Sequence, residues 1–239
     1  MRKNPKVKIT KDGPYLISRN LPLAKEIIIC DEKKVPLKWE KSDGYPKQES
    51  YALCRCGKSK SPPFCDGKHI DTKFNGTETA TRKSYAEQAD MTEGPELDLT
   101  DVEKLCASAR FCYKSIGTWQ LTEKSDKPKL KALAIETACN CPAGRLVIID
   151  KKISRPIEPD FKPSISLVED PHTKTSGPIW VKGCVPIEST NGILYEIRNR
   201  VTLCRCGKSH NKPFCDGAHI VAKFNDGDEA IQPDKKKIL

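Results

Sequence analysis

Hydrophobic residues occur in short runs along the chain, and these runs have the length of β-strands. The most apolar ones are Ile27–Cys30 and Leu146–Ile149. A helix that spans a membrane needs about 18 consecutive apolar residues, and no run approaches that length. The pattern therefore predicts short strands and excludes a chain of membrane-spanning helices.

Two helices and one linker are predicted in the middle of the chain. Leu130–Ala138 has the pattern of a helix. Thr100 or Asp101 would cap a shorter helix over residues 105–111. Residues 151–176 contain four prolines and show no apolar period, which predicts an irregular linker.

The chain repeats itself. Cys54–Ser59 and Cys204–Ser209 are identical, and Pro-Phe-Cys-Asp-Gly-x-His follows each of them at a constant offset of 150 residues. A weaker match upstream, between Gly13-Pro14 and Gly177-Pro178, has an offset of 164 residues. The first copy thus has 14 additional residues between about 24 and 50, and we expect them to extend a hairpin or a loop.

Composition and charge narrow the function. Twelve of the 239 residues are cysteines, and the formal net charge is +10. The basic amino terminus lacks the apolar segment of a secretory signal, so we expect a cytoplasmic chain whose cysteines bind metal. Few aromatic residues accompany the lysines. The charge therefore favours an acidic protein partner over a nucleic acid or a membrane.

Each repeat contains three cysteines and one histidine with the spacing C-x-C-x8-C-x3-H. The third cysteine and the histidine are four residues apart, which places both on one face of a helical turn. Thiolates with one imidazole suit zinc or an iron–sulfur cluster. Structural zinc usually takes cysteine pairs two to four residues apart, so the single intervening residue favours a cluster. The predicted ligands are Cys54, Cys56, Cys65 and His69 in the first copy and Cys204, Cys206, Cys215 and His219 in the second.

Both segments resemble the CDGSH iron–sulfur domain family. The family pattern is C-x-C-x2-(S/T)-x3-P-x-C-D-G-x-H, and each copy meets every fixed position, including Ser59 and Ser209. The resemblance covers about residues 13–76 and 177–226. It implies a β-rich cap and a [2Fe–2S] cluster with three cysteine ligands and one histidine ligand in each copy. Members with one motif form twofold dimers, so a monomer with an internal pseudo-twofold axis and a homodimer are both open.

Four more cysteines lie between the copies: Cys106, Cys112, Cys139 and Cys141. A cysteine followed by proline, as at Cys141, is a recurring end of a ferredoxin ligand set. The segment resembles the divergent single-cluster [4Fe–4S] ferredoxin-like domain, which has C-x5-C and a later C-P-x-G. The resemblance implies Cys106, Cys112 and Cys141 as ligands, and we add Cys139 as the fourth. A four-cysteine zinc site and buried core thiols are the alternatives.

Four other cysteines and histidines are not predicted to be ligands. Cys30 and Cys184 lie in apolar, strand-like sequence, which predicts buried thiols. His172 and His210 lie in polar segments, and we expect them to be exposed to solvent.

The sequence as a whole predicts an α+β protein, in which two small β-rich lobes flank a small ferredoxin-like α/β insert. The predicted parts are a CDGSH domain over residues 1–85, the ferredoxin-like domain over 86–150, the linker over 151–176 and a second CDGSH domain over 177–239. We expect electron or cluster transfer through two [2Fe–2S] clusters and one [4Fe–4S] cluster. The acceptor would be a redox or cluster-acceptor protein, and the chain would have no substrate site of its own.

Two other functions remain open at this point. One is a structural zinc protein in a basic, nucleic-acid-associated complex. The other is a subunit that feeds electrons to a redox enzyme.

Overall fold

The computed structural model of the protein describes residues 5–231, in which short strands predominate. The strands are β1 (Val7–Ile9), β2 (Tyr15–Ser18), β3 (Leu23–Cys30), β4 (Pro36–Lys41), β5 (Ser50–Leu53), β6 (Asp90–Glu93), β7 (Leu97–Asp101), β8 (Leu146–Asp150), β9 (Arg155–Ile157), β10 (Ser164–Asp170), β11 (Thr175–Lys182), β12 (Ile187–Glu188) and β13 (Arg200–Leu203). The helices are α1 (Lys68–Asp71), α2 (Thr118–Glu123), α3 (Pro128–Cys139) and α4 (Ala218–Val221). No helix within this range is long and apolar enough to cross a bilayer. The predicted α+β class is confirmed.

The two repeats exchange strands. One sheet has the order β12-β1-β2-β5, and a second has the order β13-β11-β10-β3-β4. Strand β12 of the second repeat pairs in parallel with β1 of the first, and β3 of the first pairs in parallel with β10 of the second. Strands β3 and β12 occupy matching places in the two copies. Each repeat therefore completes the sheet of the other.

One hydrophobic core lies between these two sheets. Strand β1 buries every second side chain, as a half-buried strand does, and contributes Val7 and Ile9. Ile165 and Leu167 of β10 belong to the same buried cluster. Because residues of both repeats fill one core, neither repeat buries its apolar face alone.

The middle region has a sheet and a core of its own. Its sheet has the order β6-β7-β8-β9, and α2 and α3 pack against it. The buried cluster consists of Leu97, Leu99, Leu121, Ala134, Ala138, Leu146 and Ile148. The sequence placed the helix of Leu130–Ala138 and the strand of Leu146–Ile149 correctly, since α3 and β8 contain them.

Two predicted elements are wrong. Residues 151–176 contain β9, β10 and the first residues of β11, and β10 lies inside the second sheet. The prolines in this segment fall mainly between those strands, so they did not prevent pairing. The helix expected over residues 105–111 is absent, and only the short 3-10 turns Glu103–Leu105 and Phe111–Tyr113 occur there.

The 14 additional residues of the first copy extend a hairpin, as predicted. Strands β3 and β4 pair antiparallel beyond the point where the second copy has only the short β12. Trp39 of β4 stacks on Phe111 and Trp180, with ring centroids 4.9 and 5.0 Å apart. The extension therefore fastens the middle region to the second sheet.

Candidate metal centres

The first cysteine pair directly follows β5. A bridge between Leu53 and Phe64 brings the following loop back beside the end of the strand. The backbone amides of Cys54 and Cys65 donate across this bridge at 2.8 and 2.9 Å, to a carbonyl of the returning loop and to a carbonyl of β5. The fold thus places the third cysteine beside the first.

A tight turn then presents the histidine. Asp66 accepts hydrogen bonds from the amides of Lys60 at 2.8 Å and Lys68 at 3.0 Å, and both bonds lower the pKa of its carboxyl. Gly67 follows with a φ of 87°, a conformation that side chains disfavour. The turn leads into α1, which begins at Lys68, so His69 lies on the helix whereas Cys65 precedes it. The expectation that one helical turn carries both residues is wrong, because the left-handed Gly67 stands between them.

The four side chains form two donor pairs. The thiols of Cys54 and Cys56 lie 3.7 Å apart, and the thiol of Cys65 lies 3.4 Å from Nδ1 of His69. Within residues 5–231, no group of three or more cysteine, histidine or acidic side chains gathers around one ion position. Two pairs of soft donors fit the two irons of a [2Fe–2S] cluster, whereas one zinc ion requires four donors around one point.

The second repeat has the same geometry. The thiols of Cys204 and Cys206 lie 3.6 Å apart, and the thiol of Cys215 lies 3.5 Å from Nδ1 of His219. The amides of Cys204 and Cys215 donate across the matching bridge at 2.8 and 2.9 Å. Nearly identical sequence has therefore produced the same donor geometry twice.

Several of these thiols lie where ionisation is difficult without a cation, whereas the hydrogen bond from Cys206 lowers the pKa of Cys204. Burial, followed by the charge of Cys54, raises the pKa of Cys56 to about 11. The hydrogen bond to Cys204 and burial raise the pKa of Cys206, and burial raises that of Cys215 well above its usual value. Thiolates are the ligand form of cysteine. A bound metal would supply the positive charge that lets both members of a pair ionise.

The two sites differ in their access to solvent. Cys65 and His69 are half-buried, whereas Cys215 and His219 are 2% and 4% exposed. The segment around Cys106 covers the second site, since a Cβ atom on Gly217 would lie 3.3 Å from the Cys106 carbonyl oxygen. Only the first site is open at its histidine.

Three of the four middle cysteines are neighbours, since the charges of Cys106 and Cys141 act on Cys112, although in residues 5–231 they do not surround one ion position. Burial, followed by the charges of Cys141 and Cys106, raises the pKa of Cys112 to about 12. Cys139 is placed apart, because its thiol points to the carbonyl of Ile157 at 3.8 Å. Cys139 is the last residue of α3, and its position on the helix turns its thiol away from the other three middle cysteines. The arrangement does not support our addition of Cys139 as a fourth ligand.

Two arginines that the sequence analysis missed, the half-buried Arg145 and the buried Arg200, support this middle site. Arg145 donates from Nε and Nη2 to the carboxylate of Asp101 at 2.6 and 2.7 Å. Arg200 has a fully buried side chain and donates to the carbonyls of Cys139 at 3.0 Å and Cys141 at 2.8 Å. Nothing in the local sequence separates these arginines from surface ones, because their partners are distant in the chain.

The predictions for the cysteines and histidines outside the sites had two different outcomes. His172 and His210 are exposed, as predicted. Cys184 is exposed and Cys30 is half-buried, so the prediction of two buried thiols is wrong. Cys184 lies in a turn with a φ of 56° between β11 and β12, and the turn points its side chain outward.

The three sites contact one another in a row. A Cβ atom on Gly57 would lie 2.7 Å from the carbonyl oxygen of Cys206, and one on Gly207 would lie 2.6 Å from that of Cys56. The two repeat loops are therefore in backbone contact. The second repeat site also shares an apolar cluster with the middle site, which includes Cys215 and Cys141.

Comparison with known families identified three regions of the chain. Residues 12–70 and 176–220 match the family described as iron-binding zinc finger, CDGSH type. Residues 92–151 match the family described as divergent 4Fe-4S mono-cluster. Searches of curated proteins and of solved structures found no match.

Proposed function

We propose that the chain relays single electrons between protein partners. It contains two CDGSH-type iron-binding regions with a divergent [4Fe–4S] mono-cluster region between them, and so binds iron–sulfur clusters. The observation that supports a relay is the row of contacts between the three sites. A protein that only stored or stabilised clusters would not need them adjacent.

We assign the ligands from the geometry of the donor pairs. The two CDGSH-type sites would each hold a [2Fe–2S] cluster, and the middle site would hold a [4Fe–4S] cluster through three cysteines. When bound, these groups supply one-electron oxidation and reduction. The proposed ligands are Cys54, Cys56, Cys65 and His69, then Cys204, Cys206, Cys215 and His219, and in the middle Cys106, Cys112 and Cys141.

The chain itself would hold the three sites at fixed spacing and keep water from two of them. Arg200 fastens the carbonyls of the middle ligand loop to β13, the strand that precedes Cys204. The strand exchange between the repeats fixes the first site against the second. A rigid row lowers the structural rearrangement that accompanies each transfer.

The partner would be an acidic redox protein that docks at the first site. A groove of about 400 Å³ lies at the seam of the two repeat loops, with Cys56 and Gly207 in its wall. Four lysines line it, and none of its described lining residues is acidic: Lys58, Lys73, Lys208 and Lys212. Complementary charge speeds the encounter of two proteins and weakens with added salt.

Metal analysis and freeze-quench spectroscopy together test the relay. Anaerobically purified protein should contain about eight irons and eight sulfides per chain, which corresponds to two two-iron clusters and one four-iron cluster. After mixing with dithionite at one electron per chain, the EPR signals should change with time as the electron redistributes among the centres. Zinc without sulfide would overturn cluster binding. Fixed signal intensities, with no redistribution, would overturn the relay.

Substitutions at the middle site test whether the three sites bind iron separately. Cys106→Ala or Cys141→Ala should reduce the iron content to about four per chain and leave both [2Fe–2S] signals in place. Loss of all iron in either variant would contradict the division into three separate sites.

A further inference from the structure

The residue between the paired cysteines is an arginine in both repeats, Arg55 and Arg205, and both are buried. Their guanidinium groups lie over equivalent rings, since each is 5.7 Å from the centroid of Phe74 or Phe224. The two cations therefore occupy the same place relative to the two sets of ligands.

Arg205 is paired with two carboxyl groups. It forms ion pairs with Glu169 and Asp226, whose side chains are 0% and 9% exposed. It also donates to the carbonyls of Val168 at 3.0 Å and Gly177 at 2.7 Å. Burial raises the pKa of Glu169 to about 7, so Asp226 is the constant negative charge at neutral pH. The positive charge beside the second site is therefore balanced by a carboxylate in direct contact with it.

Arg55 has carbonyl partners in place of those carboxylates. It donates to the carbonyls of Thr10 at 3.2 Å and of Gly76. Gly76 stands at the position of Asp226, at the repeat offset of 150 residues. Among the described residues no ion pair joins Arg55 to an acid, and its buried Nε has no hydrogen-bond partner. The cation beside the first site thus has no direct carboxylate partner, and the acid nearest to it in this network, Asp12, accepts a hydrogen bond from the Gly76 amide at 2.8 Å.

A buried cation without a carboxylate is costly unless another anion lies near it. A [2Fe–2S] cluster with three thiolate ligands is such an anion, and its reduction adds one more negative charge. Arg55 would therefore favour the reduced state at the first site. At the second site, Glu169 and Asp226 oppose that added charge, and so does the burial of Cys215 and His219.

We infer that Arg55 and the carboxylate pair of Arg205 make the two CDGSH-type centres unequal, with the higher reduction potential at the first. This inference rests on the proposed clusters and says which of the two has the higher reduction potential. At equilibrium one electron shared by the two centres would reside at the first site, which is the one with the half-buried histidine and the lysine groove.

An EPR-monitored redox titration of the intact, cluster-loaded protein tests the inference. Small-molecule mediators equilibrate each centre with the electrode, so the result does not depend on transfer between the centres. At the potential where the first centre is half reduced, the ratio of reduced to oxidised second centre should be at least tenfold smaller, a separation of at least about 59 mV. The His69→Cys variant, which changes the first signal alone, assigns the two signals.

Two substitutions exchange the charge environments. Gly76→Asp should lower the potential of the first centre, and Asp226→Asn should raise that of the second. A Cβ atom on Gly76 would lie 2.7 Å from Nη1 of Arg55, at the flexible end of that side chain, and the second copy accommodates the same pair. Asn75→Asp is the matched control, since Asn75 is exposed and its charge would be screened by water.

Three outcomes would overturn the inference: equal potentials in the native chain, the opposite order, or a shift from Gly76→Asp no larger than that from Asn75→Asp. If the Gly76→Asp variant does not bind clusters, the Asp226→Asn variant tests the inference instead. A second centre with the same reduction potential in Asp226→Asn as in the native chain would refute the role of the carboxylates. Unequal potentials without electron redistribution after substoichiometric reduction would overturn the relay and leave this inference standing.

Discussion

The two proposed histidine ligands occupy different surroundings although their motifs are nearly identical. Burial, and then the charge of Arg205, lower the pKa of His219 to about 4. The lowered pKa keeps the neutral, metal-binding form of His219 available to lower pH. His69 is half-buried and open to solvent protons.

We expect acid to release the first cluster before the second. Between pH 7 and 5 the visible absorbance of the first centre should fall faster, and His69→Cys should slow that loss, because a thiolate bound to iron has no comparable proton demand. Stopped-flow absorbance after a pH jump measures both rates. His172→Ala and His210→Ala are the controls. A change in lability from either control as large as that from His69→Cys would refute the ligand assignment.

The middle cysteines allow a second test at the scale of single residues. Cys139→Ala should retain the [4Fe–4S] signal, because its thiol faces the Ile157 carbonyl. Cys141→Ala should lose that signal. Loss of the signal in both variants to the same extent would restore Cys139 as a ligand and contradict the placement of its side chain.

At the scale of elements, the seam between the repeat loops depends on two glycines. Gly207 has a φ of 75°, and a Cβ atom there would lie 2.6 Å from the Cys56 carbonyl oxygen. Gly57 faces Cys206 in the same way. Such close backbone contact tolerates no side chain, and this explains why glycine follows the second cysteine in both copies.

Gly207→Ala should therefore destabilise the loaded protein by about 1–3 kcal/mol, from backbone strain together with the clash. The midpoint of thermal loss of the visible absorbance measures the effect. Gly192→Ala is the matched control, since Gly192 has a φ of 85° with no atom within 4 Å of the added Cβ. Equal shifts for the two variants would mean that strain alone acts and that the loops do not touch.

At the scale of the whole molecule, the exchange of β3 and β12 occurs within one chain. Strands β1 and β10 are therefore both paired with the other repeat inside the chain. We therefore expect a monomer of 26.7 kDa. Sedimentation equilibrium of the loaded protein would show a species of about 53 kDa if two chains paired instead, as a twofold dimer.

The sequence by itself determined the parts of this protein that depend on local spacing. The C-x-C-x8-C-x3-H spacing predicted that Cys65 and His69 lie close together, and the thiol of Cys65 does lie 3.4 Å from Nδ1 of His69. The helix over Leu130–Ala138 and the strand over Leu146–Ile149 followed from local pattern in the same way. The family resemblance of the two repeats could also be recognised from sequence, since every fixed position of the CDGSH pattern is present in both.

Only the tertiary structure decided what depends on residues far apart in the chain. The proline-rich segment before β11 became the strand β10 because β3, about 140 residues earlier in the sequence, pairs with it. The charges of Arg55 and Arg205 differ in effect because Gly76 and Asp226 meet them in space. Local sequence around the two arginines is the same, so the physical difference between the two sites lies in their long-range partners.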